Sequence, residues 1–281
     1  MAGNATRSSA APGWFVKVVN EVIKGLDRVA AYLDGVIVFD ADPSLHVTNM
    51  TEFFRRRRRR NIKLFPSKAT IGATDADFLG HTVSPAGIMP NAQKVEALMK
   101  MPMPEDLKQL RSLLGGLSYY RKFLRDMAKR IRPITSLRKQ GVKFVFTPAM
   151  EAIGRELLVE LSSPPFLVYP NWDGVTDNFH PFVLYCDASV DGFGATLEQE
   201  RDDHTIHPIM FVSRATIESE RHWTPLDLEA GRIFWESNAF EVTCWVPVSD
   251  FFRITRRSKA STRLQHNPRV QRWLEFLTTY N

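Results

Sequence analysis

Three carboxylates stand where the surrounding residues give no simple reason for one. Asp187 closes the apolar run Phe182 to Cys186 and is followed by the small residues Ala188 and Ser189. Glu229 falls about one turn into a helix that Thr224 can cap and Pro225 can open at its first position. Asp34, together with Gly35, interrupts an apolar stretch from Val29 to Phe39. Carboxylates converging from separate elements can hold two divalent cations, which clamp the attacking and leaving oxygens of a phosphodiester. Asp187 and Glu229 would supply half of such a centre. On the residues alone a second reading stays open, in which Asp187 caps a turn and Glu229 is a solvated helix residue.

The elements that must position these groups are legible in outline. Trp14 to Leu26 has helical apolar spacing, Val29 to Phe39 reads as a buried strand, and Leu45 to Asn61 as a helix ending in the run Arg55 to Arg60. Short strand-and-turn text continues through Ile88. Asn91 to Lys139 is helical in pattern, with breaks expected at Pro102, Pro104 and Gly115–Gly116 and a basic face that includes Lys108, Arg111, Arg121, Lys122 and Arg125. A helix from Pro148 to Leu161 runs into a Pro-rich and polar stretch, where a domain boundary is expected. Beyond it Phe182 to Cys186, Gly192 to Leu197 and Ile206 to Ser213 read as strands in hairpin order, ahead of the Glu229 helix. Strands followed by a helix predict an α/β domain rather than a bundle.

Bulk properties bound the function. The 281 residues are enough for two cores, since single domains cluster around 100 to 150 residues. A hydrophobic fraction of 44% and a charged fraction of 24% exclude a disordered chain. The formal net charge of +6 suits a polyanionic partner, because cations that neutralise phosphates release counterions. Cys186 and Cys244 have neither zinc spacing nor the number for a disulfide framework, so free thiols in an intracellular chain are expected, in cytoplasm or nucleus. Met1 to Pro12 is Ser-rich and free of acids, a faint transit-peptide pattern that leaves a mitochondrial address open, although its one basic residue fits a frayed terminus better. No apolar run reaches the roughly 20 residues that span a bilayer, so no membrane role is expected.

Longer motifs narrow the reading. Leu184-Tyr185-Cys186-Asp187-Ala188-Ser189, Gly192-Phe193-Gly194-Ala195, His207-Pro208-Ile209, Ser213-Arg214, Glu220-Arg221-His222-Trp223-Thr224 and Leu228-Glu229-Ala230 together resemble the RNase H domain of gypsy-type LTR retrotransposons. The resemblance implies an RNase H fold that cleaves the RNA strand of RNA–DNA hybrids with two magnesium ions, with Asp187 and Glu229 as metal ligands. Upstream, Ala31-Tyr32-Leu33-Asp34-Gly35-Val36-Ile37-Val38-Phe39 resembles the reverse-transcriptase strand-turn-strand that carries two consecutive aspartates. Phe78-Leu79-Gly80-His81 resembles the primer grip of that enzyme, and Leu110 to Gly115 with Tyr119-Tyr120-Arg121-Lys122-Phe123 its thumb helices. The resemblance therefore places Phe78, Leu79, Gly80, His81, Tyr119 and Arg121 against nucleic acid. Read as residues, Tyr119 and Tyr120 fit a packed core equally, and Arg55 to Arg60 fits either phosphate contacts or a solvated helix end.

Departures from the family pattern set the expected activity. Asp34-Gly35 stands where the family has Asp-Asp, and the upstream strand that bears the polymerase's other metal-binding Asp has no counterpart ahead of it. One carboxylate cannot hold two magnesium ions against a triphosphate. DNA synthesis is not expected. After Glu229 the family continues to a strand ending in Ser-Asp-His-Lys-Ala-Leu-Glu, whose Asp is the third metal ligand. A coding string for that motif, TCG GAT CAC AAG GCG CTC GAA AGC, read one base later gives Arg-Ile-Thr-Arg-Arg-Ser-Lys, matching Arg253 to Lys259. Residues 237–265 are accordingly expected to be a shifted frame, with Asp250 a coincidence of it and the family frame restored from His266 to Trp273. The family's fourth ligand would fall beyond Asn281.

The expected architecture is α/β (α+β): a partial reverse-transcriptase palm over 1–90, a helical thumb or connection over 91–165, and an RNase H-like mixed sheet with helices over 166–281. Two functional classes follow. One is a nuclease remnant with Asp187 and Glu229 on Mg2+ and an RNA–DNA hybrid as substrate, Asp34 being a polymerase remnant; the other is a non-catalytic nucleic-acid-binding protein or a component of a larger assembly.

Overall fold

The computed structural model describes residues 11–176 and 179–224 and positions 227, 228, 231 and 235. Glu229 and the segment 237–265 lie outside the described residues. The chain divides at Leu79/Gly80 into two compact units. The fold is mixed α/β, with short antiparallel hairpins and meanders among helices.

In the first unit α1 (Ala11–Ile23) is followed by β1 (Val29–Tyr32) and β2 (Gly35–Val38), α2 (Pro43–Arg59) and β3 (Ala76–Phe78). The apolar stretch that patterning gave as one buried strand interrupted at Asp34 and Gly35 is a hairpin, as the strand-turn-strand resemblance implies, β1 pairing antiparallel with β2 across Leu33-Asp34. None of its strand residues is buried. Leu33 takes φ 54° at the turn, a conformation that hydrophobic patterning does not signal. Asp42 caps α2, its Oδ1 accepting the Leu45 amide at 2.8 Å with Pro43 in the first turn. Val19 and Val22 of α1 and Phe53 of α2 are the buried apolar residues of this unit among the described residues.

The second unit opens with the hairpin β4 (His81–Ser84) and β5 (Gly87–Pro90), then α3 (Ala92–Met99), α4 (Leu107–Tyr119), α5 (Met127–Arg130), α6 (Arg132–Ser136), α7 (Pro148–Ser162) and α8 (Trp172–Thr176). The breaks expected at Pro102 and Pro104 fall between α3 and α4, where Asp106 caps the new helix by accepting the Gln109 amide at 2.7 Å. The break expected at Gly115–Gly116 does not occur, and α4 runs through both. A Cβ on Gly116 would stand 2.5 Å from Leu98 Cδ2, so an alanine there requires the Leu98 side chain to shift. Leu110, Leu113, Leu117, Phe123, Ile134, Leu157, Leu158 and Leu161 form the buried centre of this helical part.

The strands β6 (Phe182–Ser189), β7 (Gly192–Glu200) and β8 (Ile206–Ala215) follow as an antiparallel meander with β7 central. One face of the sheet carries Phe182, Leu184, Ala195 and Leu197 in a second apolar cluster. Phe211 on the opposite face joins the helical core. Covered on both sides, β7 is buried from Gly192 to Leu197. No helix among the described residues is long and apolar enough to cross a membrane.

Candidate functional site

Register fixes the geometry around Asp187. It pairs with Gly194, and Gly194 pairs with Ser213, so one row crosses β6, β7 and β8 on a single face of the sheet. The segment 121–132 lies over that row. Lys129 Nζ is 3.4 Å from Asp187 Oδ2. The Ala128 amide donates to Ser213 Oγ at 3.1 Å, and Arg121 Nη2 donates to the Ser213 carbonyl oxygen. A Cβ on Gly194 would overlap Asp126 Oδ1, so only glycine lets that carboxylate sit over the central strand. Farther along, Arg132 Nη1 donates to the Asp191 carbonyl oxygen at 2.5 Å and to Thr216 Oγ1 at 3.0 Å.

The electrostatics follow from this docking. Asp126, held at φ 50°, is pushed above the usual carboxylate range by burial and then by the negative charge of Asp187, against the pull of Arg125, Lys129 and Arg130. Burial likewise raises Glu198, which Arg125 opposes. The Asp187 side chain is itself 56% exposed and Lys129 45%. Asp187 thus faces one carboxylate and an ammonium contributed by the helical segment.

Of the two expected metal ligands only Asp187 is among the described residues. The sheet contributes one carboxylate, an ammonium already lies against it, and among the described residues no group of three or more His, Cys, Asp or Glu could hold a metal ion.

The other residues singled out from sequence separate into two places. In the first unit, Asp34 is exposed in the β1–β2 turn. Phe78 of β3 reaches that hairpin, and a Cβ on Gly35 would stand 3.4 Å from Phe78 Cε2, an ordinary contact at a φ that L-residues adopt. The backbone therefore does not require glycine at 35. Leu79 closes this unit with φ 49°.

In the second unit, Gly80 (φ 69°) accepts a hydrogen bond from Tyr120 Oη on its carbonyl oxygen at 2.8 Å. His81 stacks among Tyr119, Tyr120 and Phe123, with centroid distances of 5.5, 5.6 and 5.7 Å. Burial raises the pKa of the Tyr120 hydroxyl. Tyr119 keeps 52% of its surface exposed, whereas Tyr120 and Phe123 belong to the core. Arg121 lies on a single 3-10 turn after α4, its guanidinium spent on Ser213.

Residues 177–280 match the family described as the RNase H-like domain found in reverse transcriptase. The chain is 32% identical over 234 residues to the retrovirus-related Pol polyprotein from transposon 297 of Drosophila melanogaster, a match covering 82% of this chain and 21% of that protein. This chain is a retrotransposon Pol relative. The corresponding polyprotein from transposon 412 of the same fly is 30% identical over 227 residues, covering 80% of this chain and 18% of its own length. The Tf2-7 polyprotein of Schizosaccharomyces pombe is 23% identical over 280 residues, 97% of this chain and 21% of that protein. The Pol relative thus spans about a fifth of each of these polyproteins.

Among solved structures, a foamy viral protease–reverse transcriptase in complex with dsDNA aligns with a TM-score of 0.73 at 18% identity, over 96% of this chain and 56% of that one. A foamy viral protease–reverse transcriptase in complex with an RNA/DNA hybrid aligns at 0.69 and 18%, over 95% and 36%. At these identities the likeness is one of fold.

Sequence reasoning missed Asp126, Lys129 and the service of Gly194 and Ser213 as their receiving surface. These contacts join positions 58 to 92 residues apart, and no local pattern announces them. Asp40 was missed as well: its fully buried side chain accepts from Asn49 Nδ2 at 2.6 Å and lies 3.1 Å from His46 Nδ1.

Proposed function

We propose that the Pol relative descends from a gypsy-type reverse transcriptase with RNase H, and that it binds RNA–DNA hybrid without synthesising DNA and with its nuclease chemistry impaired. The observation that carries the reading is the Lys129 ammonium at 3.4 Å from Asp187, on a segment docked across the row where the family's first metal ligand belongs. Further support is the single exposed Asp34 beside a Gly35 that the backbone does not need. The partner is inferred from the basic balance of +6 and from the solved relatives that hold dsDNA or RNA/DNA hybrid. Magnesium enters this reading only through Asp187 and Glu229.

The test is Mg2+-dependent cleavage of a labelled RNA–DNA hybrid, with binding measured in parallel. Hybrid retention with little or no cleavage is expected. Rapid cleavage that Asp187→Asn abolishes would overturn the impaired-nuclease reading, and absence of hybrid binding would overturn the binding one.

A further inference from the structure

The arginine run at the end of α2 is not one uniform charged face. Glu52 takes Arg55 in a two-point contact, Nε and Nη2 each at 2.6 Å, and also accepts Arg56 Nε at 2.6 Å. These hydrogen bonds, Arg55 first and then Arg56, push the Glu52 carboxyl down to about 2. Arg56 Nη1 also donates to the Lys24 carbonyl oxygen at 2.6 Å, and Arg60 pairs with Glu21 at 2.8 Å. Arg57 and Arg58 have no acidic partner among the described residues. Arg57 Nε is buried with no hydrogen-bond partner there, its guanidinium 5.6 Å from the centroid of the Phe54 ring.

The chain then folds back over these two residues. Asn61 takes φ 54°, its amide donates to the Arg58 carbonyl oxygen at 3.1 Å, and the Ile62 amide donates to that of Arg57 at 3.2 Å. This paired pattern ends a helix and reverses the chain. The reversal encloses an open cleft of about 530 Å³ in which Arg57, Arg58 and Lys63 meet Ile62, Leu64 and Ile71, with no acid in the lining. Complementing the helix dipole accounts for cations at a C-terminus. It does not account for an apolar floor beneath unpaired ones.

We propose that this cleft binds a phosphodiester of single-stranded nucleic acid, the phosphate held by Arg57, Arg58 and Lys63 and the nucleoside resting on the apolar floor. Phe65, 73% exposed between the lining residues Leu64 and Pro66, offers a face on which an unstacked base can lie. A duplex keeps its bases away from such a floor, so single strands are favoured. The site lies wholly in the first unit, whereas Asp187 belongs to the second.

Fluorescence anisotropy of a labelled oligo(dT) with the full chain, over a range of salt, tests it. For R57Q/R58Q/K63Q the slope of log affinity on log salt falls by about 2, since each phosphate contact on a single strand contributes about 0.7. The milder R58Q/K63Q, altering groups that leave the helix core untouched, lowers it by about 1.4. F65A weakens binding about tenfold. R55Q/R60Q, which removes acid-paired cations, leaves the slope unchanged. No binding of oligo(dT) by the parent chain, an R58Q/K63Q slope equal to the parent's, or a loss of duplex binding in R58Q/K63Q as large as its loss of oligo(dT) binding would each overturn the proposal.

Discussion

Lys129 Nζ and Asp187 Oδ2 lie 3.4 Å apart on the exposed rim of the sheet, joining a helical segment to the strand that carries the proposed metal ligand Asp187. Both side chains are about half solvated, so the pair contributes less than about 1 kcal/mol to stability. Its larger effect is to set a fixed cation against the carboxylate. Lys129→Ala is therefore expected to leave the urea midpoint nearly unchanged while strengthening Mg2+ binding in calorimetric titration. Asp187→Asn in the same background should remove that gain. Unchanged metal binding in Lys129→Ala would show that the ammonium does not compete for Asp187.

Asp126 sits over Gly194, where the absence of a side chain leaves room for its carboxylate. Gly194→Ala places a methyl on Asp126 Oδ1, and the carboxylate must rotate off the strand or the segment must lift. A loss of about 1 to 3 kcal/mol is expected, the usual range for overpacking. Asp126→Gly removes the obstruction and relieves the left-handed backbone at φ 50°. The two changes should then be strongly non-additive in a double-mutant cycle read by chemical denaturation. Additivity would mean that the methyl is accommodated elsewhere.

What the sequence disclosed and what it hid divide along physical lines. β6, β7 and β8 were legible because apolar runs and small turn residues such as Gly192 are local signals, and so was Asp187 at the end of its run. The β1–β2 hairpin was legible in the family resemblance as a strand-turn-strand, whereas apolar patterning alone gave one interrupted strand, because the positive φ falls on Leu33 rather than on Gly35. Gly115–Gly116 was read as a break because propensity is local, whereas the burial of Leu113, Leu114 and Leu117 on either side of the two glycines is tertiary. The docking of Asp126, Lys129 and Arg121 on the sheet had no sequence signature, since its acceptors are a backbone carbonyl, a serine hydroxyl and the empty space over a glycine.

Those two helical glycines make a sharp pair. Gly115 is exposed, and a Cβ there meets nothing within 4 Å, whereas one on Gly116 meets Leu98 at 2.5 Å. Gly115→Ala should stabilise the chain by about 0.5 to 1 kcal/mol through reduced backbone entropy in the unfolded state. Gly116→Ala gains the same propensity but gives part of it back to the displacement of the Leu98 side chain. A smaller rise in the urea midpoint for Gly116→Ala than for Gly115→Ala is the expected result. Equal gains would show that the Leu98 side chain moves aside without cost.

Arg214 and Glu220 form a two-point ion pair, with Nη1 to Oε2 at 2.6 Å and Nη2 to Oε1 at 2.7 Å, and the Glu220 side chain is only 7% exposed. The Ile217 amide adds a third hydrogen bond at 2.9 Å, and the Arg214 guanidinium lies 4.5 Å from the centroid of the Phe193 ring. Burial acts to raise the Glu220 pKa, but Arg214 and the Ile217 amide together outweigh it and hold the carboxyl below the ordinary value of 4.5. A carboxyl whose folded pKa is depressed contributes stability above its unfolded pKa and loses it as pH falls through the folded one. Unfolding free energy measured by urea at stepped pH should therefore decline below about 4.5 in the parent, and Glu220→Gln should flatten that part of the decline. Arg214→Ala leaves the buried carboxylate without its cation and should cost about 3 to 5 kcal/mol at neutral pH. It should also flatten the Glu220 part of the decline at low pH, since the cation that most stabilises the carboxylate is gone. A variant that follows the parent's pH profile would show that Glu220 draws its charge stabilisation from some group other than Arg214.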